Sequence, residues 1–378
     1  MNRIGVGFVG AGWMGSVQLR RLSERPDVCI VGLFEPNVER GVGVLTELGL
    51  PAELLVRDYQ QLVENPDVEA IWLVSPNSHH GPQAVAAMKA GKHVFCEKPP
   101  ATTFTDFARE VELERANSHL ITFVDYILYF DPMEQKLRRM AAEGEFGRLT
   151  QVQINYRHPI NISGDKRWKL SRSIMGDAIG MGINHGVSVL VHLLAHQTAP
   201  VGVYATSLPA QVRSFEADPI WNIQIRFEDG ACGLCLGNID SGNGYDAYHN
   251  VRGTNGGFVF DSQTDQPRKV RYYSPATGDR WVYPLDAPRC RSEGFGQLTW
   301  PENITTPDSG NVVEHQTTQC VAHFLECVHA GRPSPLSFAN SAIIGEIGWA
   351  AQMSAATRKE IPLPLDVDAA REFFTARG

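Results

Sequence analysis

The sequence predicts an α/β chain of two domains: a Rossmann domain with a parallel sheet, then a second α/β domain whose sheet is mostly antiparallel. Three observations carry this. The 378 residues exceed one comfortable hydrophobic core. The first third alternates short apolar runs with helical patterns, the order of a parallel α/β sheet. From Leu149 onward the strands lengthen and alternate more strictly, which favours antiparallel pairing.

In the first domain, strands are expected at Ile4–Val9, Val28–Phe34, Ala70–Val74, Lys92–Cys96 and Leu120–Val124. Helices are expected near Met14–Ser23, Val38–Leu48 and Gly81–Ala90. The second domain reads as strands at Thr150–Tyr156, Val201–Ser207, Trp221–Phe227 and Ala231–Leu236. The last two flank Glu228-Asp229-Gly230, a turn signal between strands. Residues 240–308, rich in Gly and Asp, read as irregular strands and loops, and helices at Glu314–His329 and Ser341–Thr357 close the chain. The boundary falls at residues 123/124, with the helix at 341–357 a candidate to pack back on the first domain. No internal repeat or low-complexity segment is present.

A hydrophobic fraction of 43% and a charged fraction of 20% are those of an ordinary globular protein. A formal charge of −8 with no Lys/Arg block argues against nucleic acid as a partner. No apolar run is long enough to span a bilayer, and the start of the chain runs into a motif without a secretory pattern, so the reading is cytoplasmic. Seven scattered cysteines fit free thiols. Cys232 and Cys235 form C-x-x-C on a strand, where positions three apart face opposite sides. Cys320, His323 and Cys327 read as one buried helix face, so no metal site is expected.

Gly10-Ala11-Gly12-Trp13-Met14-Gly15 matches G-x-G-x-x-G, follows an apolar strand and opens a helix. Gly10 permits the tight turn, Gly12 lets backbone approach a pyrophosphate, and Gly15 allows close helix–strand packing. The helix start adds free N–H groups for phosphates. Glu35, at the end of the second strand, suits an adenosine ribose diol and repels a 2′-phosphate, which favours NAD over NADP despite nearby Arg40.

The segment from Asp67 to Pro99 reads DVEAIWLVSPNSHHGPQAVAAMKAGKHVFCEKP. It closely resembles a signature of the glucose–fructose oxidoreductase / inositol dehydrogenase (Gfo/Idh/MocA) family, with Ser75, Pro76, Asn77, His80, Ala90, Gly91, Lys92, His93, Val94, Glu97, Lys98 and Pro99 all fitting. GEFGRL at 144–149, Phe227-Glu228-Asp229-Gly230, Gly331-Arg332-Pro333 and Ser354–Leu363 resemble further family segments. The resemblance implies a Rossmann domain followed by an α/β domain with an open, mostly antiparallel sheet that often mediates oligomers, here a homodimer or homotetramer. It also implies sugar, inositol or related polyol substrates, with NAD or NADP as hydride carrier. Ser75, Pro76, Asn77, His80, Glu97 and Lys98 join Gly10, Ala11, Gly12, Trp13, Met14 and Glu35 as candidate cofactor-binding residues.

Oxidising a secondary alcohol needs a hydride acceptor and a group that takes the hydroxyl proton. Lys98 follows a strand of the parallel sheet, near the edge where ligands bind, and a desolvated lysine there can relay a proton. His185 is the second candidate. It lies in GINHGVSVLVHLL (182–194), apolar nearly all round, with His185, Ser188 and His192 on one stripe. The resembling family helix carries Asp-x-x-x-His-x-x-Asp; here Met181 and Ser188 stand where it has Asp, and Asp177 is a possible substitute one turn back. Tyr126, Arg157, Met181, Asn184 and His185 are the candidate substrate contacts, and Trp168 could stack near a nicotinamide. An Arg that relatives often carry before Phe-x-Pro is missing from Tyr129-Phe130-Asp131-Pro132.

These readings converge on an NAD-dependent oxidoreductase of sugars, inositols or polyols. Two alternatives stay open: an enzyme using bound NAD catalytically to cleave a glycoside, and a non-catalytic NAD-sensing regulatory protein, to which Met181 points.

Overall fold

The computed structural model describes residues 3–241, 246–261, 270–278, 281 and 316–377. Two compact units emerge: one of Met1–Tyr126, Ser173–Gly176 and His315–Ile343, the other of Ile127–Arg172, Asp177–Glu314 and Ile344–Gly378. The first unit thus runs three residues past the expected boundary. It takes back the segment from 315 to 343, whereas most of the helix around 341–357 clusters with the second unit.

In the first unit, β1 (Ile4–Val9), α1 (Trp13–Ser23), β2 (Val28–Phe34), α2 (Val38–Glu47), β3 (Leu55–Val56), α3 (Tyr59–Glu64), β4 (Ala70–Leu73), α4 (His80–Lys89), β5 (His93–Cys96), α5 (Phe104–Ala116) and β6 (Thr122–Val124) follow in order. The strands pair in parallel in the order β3-β2-β1-β4-β5-β6. Every residue of β1 and β4 is buried, as a sheet covered on both faces requires. Trp72, Phe95 and Phe123 stack across β4, β5 and β6 at centroid distances of 3.8 and 4.9 Å. Phe324 meets Trp72 and Phe95 edge-on at 5.4 and 5.7 Å, which explains why the helix Thr317–Ala330 belongs to this unit.

The second unit holds α6 (Pro132–Ala142), β7 (Leu149–Arg157), α8 (Asn184–Leu194), β8 (Pro200–Leu208), β9 (Ile220–Phe227), β10 (Cys232–Asn238), β11 (Asp246–Gly253), β12 (Gly257–Asp261), β13 (Val270–Tyr273) and β14 (Ile361–Pro362). A short α7 (Arg172–Met175) precedes α8; α9 (Thr317–Ala330), α10 (Ala342–Thr357) and α11 (Val367–Thr375) close the chain. The sheet order is β13-β12-β11-β7-β10-β9-β8-β14, antiparallel throughout except the parallel β7–β10 pair. β9 alternates buried and exposed residues, and Cys232 and Cys235 fall on opposite faces as their spacing requires. Small residues let α8 and the turn before it settle on the sheet: a Cβ at Gly233 would stand 2.7 Å from Leu190 of α8, and one at Gly237 would collide with Ile183 of that turn.

Two expectations change. The stretch from 240 forms a three-stranded antiparallel ladder, β11, β12 and β13, with one register shift between Arg252 and Gly253 of β11; beyond these strands only 240–241, 254–256, 274–278 and Trp281 of 240–308 are described, and Glu314 lies outside the described residues. The helix expected from Gly182 is preceded by a π-turn at Ile179–Ile183, with α8 beginning at Asn184.

Candidate functional site

In the first unit the candidate residues collect at the carboxyl ends of parallel strands, where β1 and β4 run side by side. Gly10 follows β1 with φ +95°, and a Cβ there would stand 2.6 Å from the Val74 carbonyl oxygen. A Cβ at Gly15 would stand 2.1 Å from the Gly10 carbonyl oxygen. Gly12, by contrast, would direct a Cβ into open space. It forms the N-cap of α1, with no side chain capping the helix and no acid in the first turn. The turn is therefore built tight at Gly10 and Gly15 and left open at Gly12, a cradle at a helix start, where first-turn N–H groups have no intrahelical acceptor, that suits a pyrophosphate. Trp13 and Met14 make the first turn of that helix.

Glu35, at the end of β2, accepts from the Ala11 amide (2.8 Å) and the Asn37 amide (3.0 Å). Each carboxylate oxygen keeps lone-pair capacity for a ribose hydroxyl, so the group both shapes the turn and fits a diol. After β4, the Ser75 hydroxyl donates to Gln83 (2.7 Å), Pro76 leads into the turn, and buried Asn77 donates to the Met175 carbonyl (2.9 Å). His80 places its two ring nitrogens 2.7 Å from the carbonyls of Ser75 and Pro99. It thereby ties the loop after β4 to the loop after β5. Both carbonyls only accept, so the cation would satisfy both. Burial opposes that charge and pushes the ring down to about 4.

Glu97 and Lys98 follow β5. The Glu97 carboxylate accepts from the Gln18 amide (2.7 Å) and the Lys98 backbone N–H (3.2 Å). The charges of Lys98 and His80 act on one another. Tyr126 closes the first segment of this unit; it is buried, 2% exposed, and burial pushes its phenol well up.

The second unit holds the other candidates. His185 is 4% exposed near the start of α8, its ring 5.6 Å from that of Tyr156. Asn184 donates to the Gly180 carbonyl (3.0 Å), while its buried Oδ1 has no hydrogen-bond partner among the described residues. Met181 is 8% exposed in the π-turn. Asp177, the candidate substitute carboxylate, accepts from the Gly180 amide (2.8 Å) and from Gln352 (3.4 Å), and burial raises it. Arg157 ends β7, and half-buried Trp168 lies in the turn Gly164–Leu170. Ser188 meets His192 at 3.2 Å, and burial pushes His192 down to about 4. That accounts for the rest of the polar stripe locally.

Two clusters were not singled out by sequence reasoning. In the first unit Gln18, wholly buried on α1, bonds Glu97 and Asp125 and accepts from the Trp72 indole (2.6 Å). A glutamine on the apolar stripe of a helix was the available signal. In the second unit a cavity of about 40 Å³ is lined by Asp131, Glu134, Asn155, Tyr156, His249 and Phe260 among others, room for a few waters. Glu134 Oε1 lies 3.4 Å from His249 Nδ1 without hydrogen-bond geometry. Burial pushes Glu134 up to about 8 and His249 down to about 3, so both are neutral near pH 7. No group of three or more His, Cys, Asp or Glu able to hold a metal occurs among the described residues, and no described helix is long and apolar enough to cross a membrane.

A parallel sheet in this order, with a glycine cradle and a carboxylate at its edge, defines a dinucleotide-binding protein of the Rossmann class. Residues 4–126 match the oxidoreductase family with NAD-binding Rossmann fold, and residues 135–259 match the GFO/IDH/MocA C-terminal domain. The chain belongs to the GFO/IDH/MocA family of oxidoreductases. Inositol 2-dehydrogenase of Salmonella typhimurium is 31% identical over 199 residues, 52% of this chain and 56% of that protein. The match thus spans little more than half the length of that relative. Levoglucosan dehydrogenase of Pseudarthrobacter phenanthrenivorans is 24% identical over 400 aligned positions, covering 96% of this chain and 99% of that protein. Among solved structures, levoglucosan dehydrogenase in complex with NADH and levoglucosan superposes with a TM-score of 0.77 at 22% identity, covering 96% of this chain and all (100%) of that one. Aldose–aldose oxidoreductase from Caulobacter crescentus, complexed with glycerol, gives 0.76 at 20% identity over 96% and 100% of the two chains. At these identities the superpositions speak to the fold.

Proposed function

We propose that the protein is an NAD-dependent dehydrogenase or reductase that moves a hydride between nicotinamide and a secondary alcohol or ketone of a sugar, inositol or related polyol. The observation that carries this is the turn closed at Gly10 and Gly15 but open at Gly12, with Glu35 and Lys98 on the same edge of one sheet. The names of its relatives support the substrate class. Gly10 to Met14 would hold the pyrophosphate and Glu35 the adenosine ribose. Ser75, Pro76, Asn77, His80 and Glu97 shape the edge beside them, and Trp168 supplies an aromatic face for the nicotinamide. NAD, when bound, supplies the hydride acceptor. Lys98 takes the hydroxyl proton in oxidation and returns it in reduction, and His185 is the assisting acid or base. Tyr126, Arg157, Met181 and Asn184 are the proposed substrate contacts.

The protein is further proposed to work in the cytoplasm as a homodimer or homotetramer. Six free cysteines among the described residues and the exposed Tyr204 and Leu208 on β8 support that reading. The test is a panel of sugars and inositols with NAD, followed at the NADH absorbance, with Lys98→Ala as control. Turnover that depends on Lys98 is expected; turnover unchanged by the substitution overturns the assignment.

A further inference from the structure

Behind Lys98, two acids from different strands meet in the interior of the first unit. Glu97 follows β5 and Asp125 follows β6, with the Asp125 amide donating to the Cys96 carbonyl (2.9 Å). One nitrogen, Gln18 Nε2, donates to Glu97 Oε1 at 2.7 Å and to Asp125 Oδ2 at 3.1 Å, so the two carboxyls face each other across a single amide. That amide cannot turn round, because its oxygen accepts from the Trp72 indole at 2.6 Å. Gln18 and Trp72 are wholly buried and Asp125 is 1% exposed. With Asp125 out of water and half-buried Glu97 bound to the same amide, ionising both is disfavoured.

We infer that Asp125 is a positioning residue for Lys98: it shares one proton with Glu97, holds that proton itself, and so leaves a single negative charge beside the lysine. The partners decide which acid is charged. Glu97 accepts from Gln18 and from the Lys98 backbone N–H, and the Lys98 charge acts on it. Asp125 lies deeper and takes the longer bond from Gln18, its Oδ1 has no hydrogen-bond partner among the described residues, and burial opposes its charge more than the Cys320 thiol favours it. The other ionisable groups acting on the cluster are Cys96 from β5, Cys320 from α9 and, on Cys96, Glu110 from α5 and the Tyr59 and Tyr126 phenols; burial and the carboxyl groups push both thiols well up, which keeps them neutral. Burial and the Glu97 charge push the Asp125 carboxyl well above the usual carboxylate range. With two negative charges the pair would clamp the Lys98 ammonium as a fixed ion pair; with one, the lysine stays tethered yet able to hand its proton on.

This role for Lys98 rests on the functional reading above, but its test needs no turnover. The full-length protein and its Glu97→Gln and Asp125→Asn variants are treated briefly with acetic anhydride at neutral pH. Acetylation of Lys98 is then measured by mass spectrometry against exposed Lys89. If the proton sits on Asp125, Asp125→Asn substitutes one neutral donor for another and changes Lys98 labelling by less than about twofold, whereas Glu97→Gln removes the only charge and raises it several-fold. Equal rises in both variants mean two ionised acids, and no rise in either means the pair does not act on Lys98; both results overturn the inference. Infrared spectra add a readout that needs no labelling. Part of the protonated-carboxyl carbonyl band, beyond what Glu134 and Glu110 contribute, is expected to be lost in Asp125→Asn; a band that this variant leaves unchanged, or one absent from the parent protein, sinks the proposal. An inactive substrate panel with the labelling asymmetry intact would remove the enzymatic reading and leave the shared proton standing.

Discussion

Lys98 and His185 are the residues on which turnover is expected to depend. Lys98→Ala should lower kcat by about 10² to 10⁴, the span of a lost acid–base group, while NADH binding, followed by fluorescence titration, stays within about threefold. A parallel loss of NADH affinity would mean that Lys98 serves the cofactor and not the proton. His185→Asn should cost roughly 10²-fold in kcat, with the protein still folded by circular dichroism; unchanged turnover would mark His185 as a packing residue. At this scale the sequence was legible where a motif is local. Gly10, Gly12 and Gly15 lie within six residues, and the structure gives each a distinct steric reason. The Gln18–Glu97–Asp125 contact was not legible, because its members are separated by 79 and 107 positions and none belongs to a short pattern with the others. His80 lies between. Its place in the signature was readable, but the two carbonyls it reaches were not.

The start of α1 offers the sharpest test at the scale of an element. Gly12→Ala adds a methyl into open space, so the melting temperature should stay within about 2 °C while NADH affinity falls by roughly tenfold or more, because the methyl occupies the pyrophosphate approach. Gly15→Ala forces a methyl onto the Gly10 carbonyl and should instead lower stability by about 1–3 kcal/mol in urea melts. Equal effects of the two substitutions would reject the separation of fold and cradle. Strands were legible because period-two and fully apolar runs are local; β1 and β2 begin and end at the expected residues. The helix α5 was missed. Its buried face includes Glu110 and Glu114, which break the apolar stripe. Glu114 accepts from Thr122 (2.7 Å) and from the Ala339 amide (2.9 Å), partners that local spacing cannot reveal. The π-turn before α8 escaped for a similar reason: Asp177 holds it by accepting from the Gly180 amide, a contact with no period of its own.

For the whole molecule, buried ionisable groups set how stability varies with pH. His80 and His192 are pushed down to about 4 and His249 to about 3, against 6.5 when exposed. Below pH 6.5 the unfolded chain therefore binds more protons at these sites, and their contribution to stability is lost as pH falls toward 4. Buried acids act in the opposite sense. Glu134 is raised from 4.5 to about 8, so the native state keeps a proton that the unfolded chain releases, and that contribution is lost as pH rises from about 4.5 to 8. Asp125 and Glu110 are raised as well, and both oxygens of Glu110 have no hydrogen-bond partner among the described residues. Between about pH 4.5 and 6.5 the two sets offset each other; above 6.5 the histidines have finished titrating and only the acids remain. Unfolding free energy from urea melts should therefore decline between pH 6.5 and 8, by up to about 1.4 kcal/mol per pH unit for each such acid. Glu134→Gln keeps the shape of the neutral side chain but cannot ionise, so over the same interval its decline should be shallower by one acid's share. An identical slope in parent and variant would mean that Glu134 is already a carboxylate in the folded protein. The Arg138 charge, which acts on Glu134, would then have to outweigh the burial that opposes its ionisation, since His249 stands 3.4 Å away without a hydrogen bond.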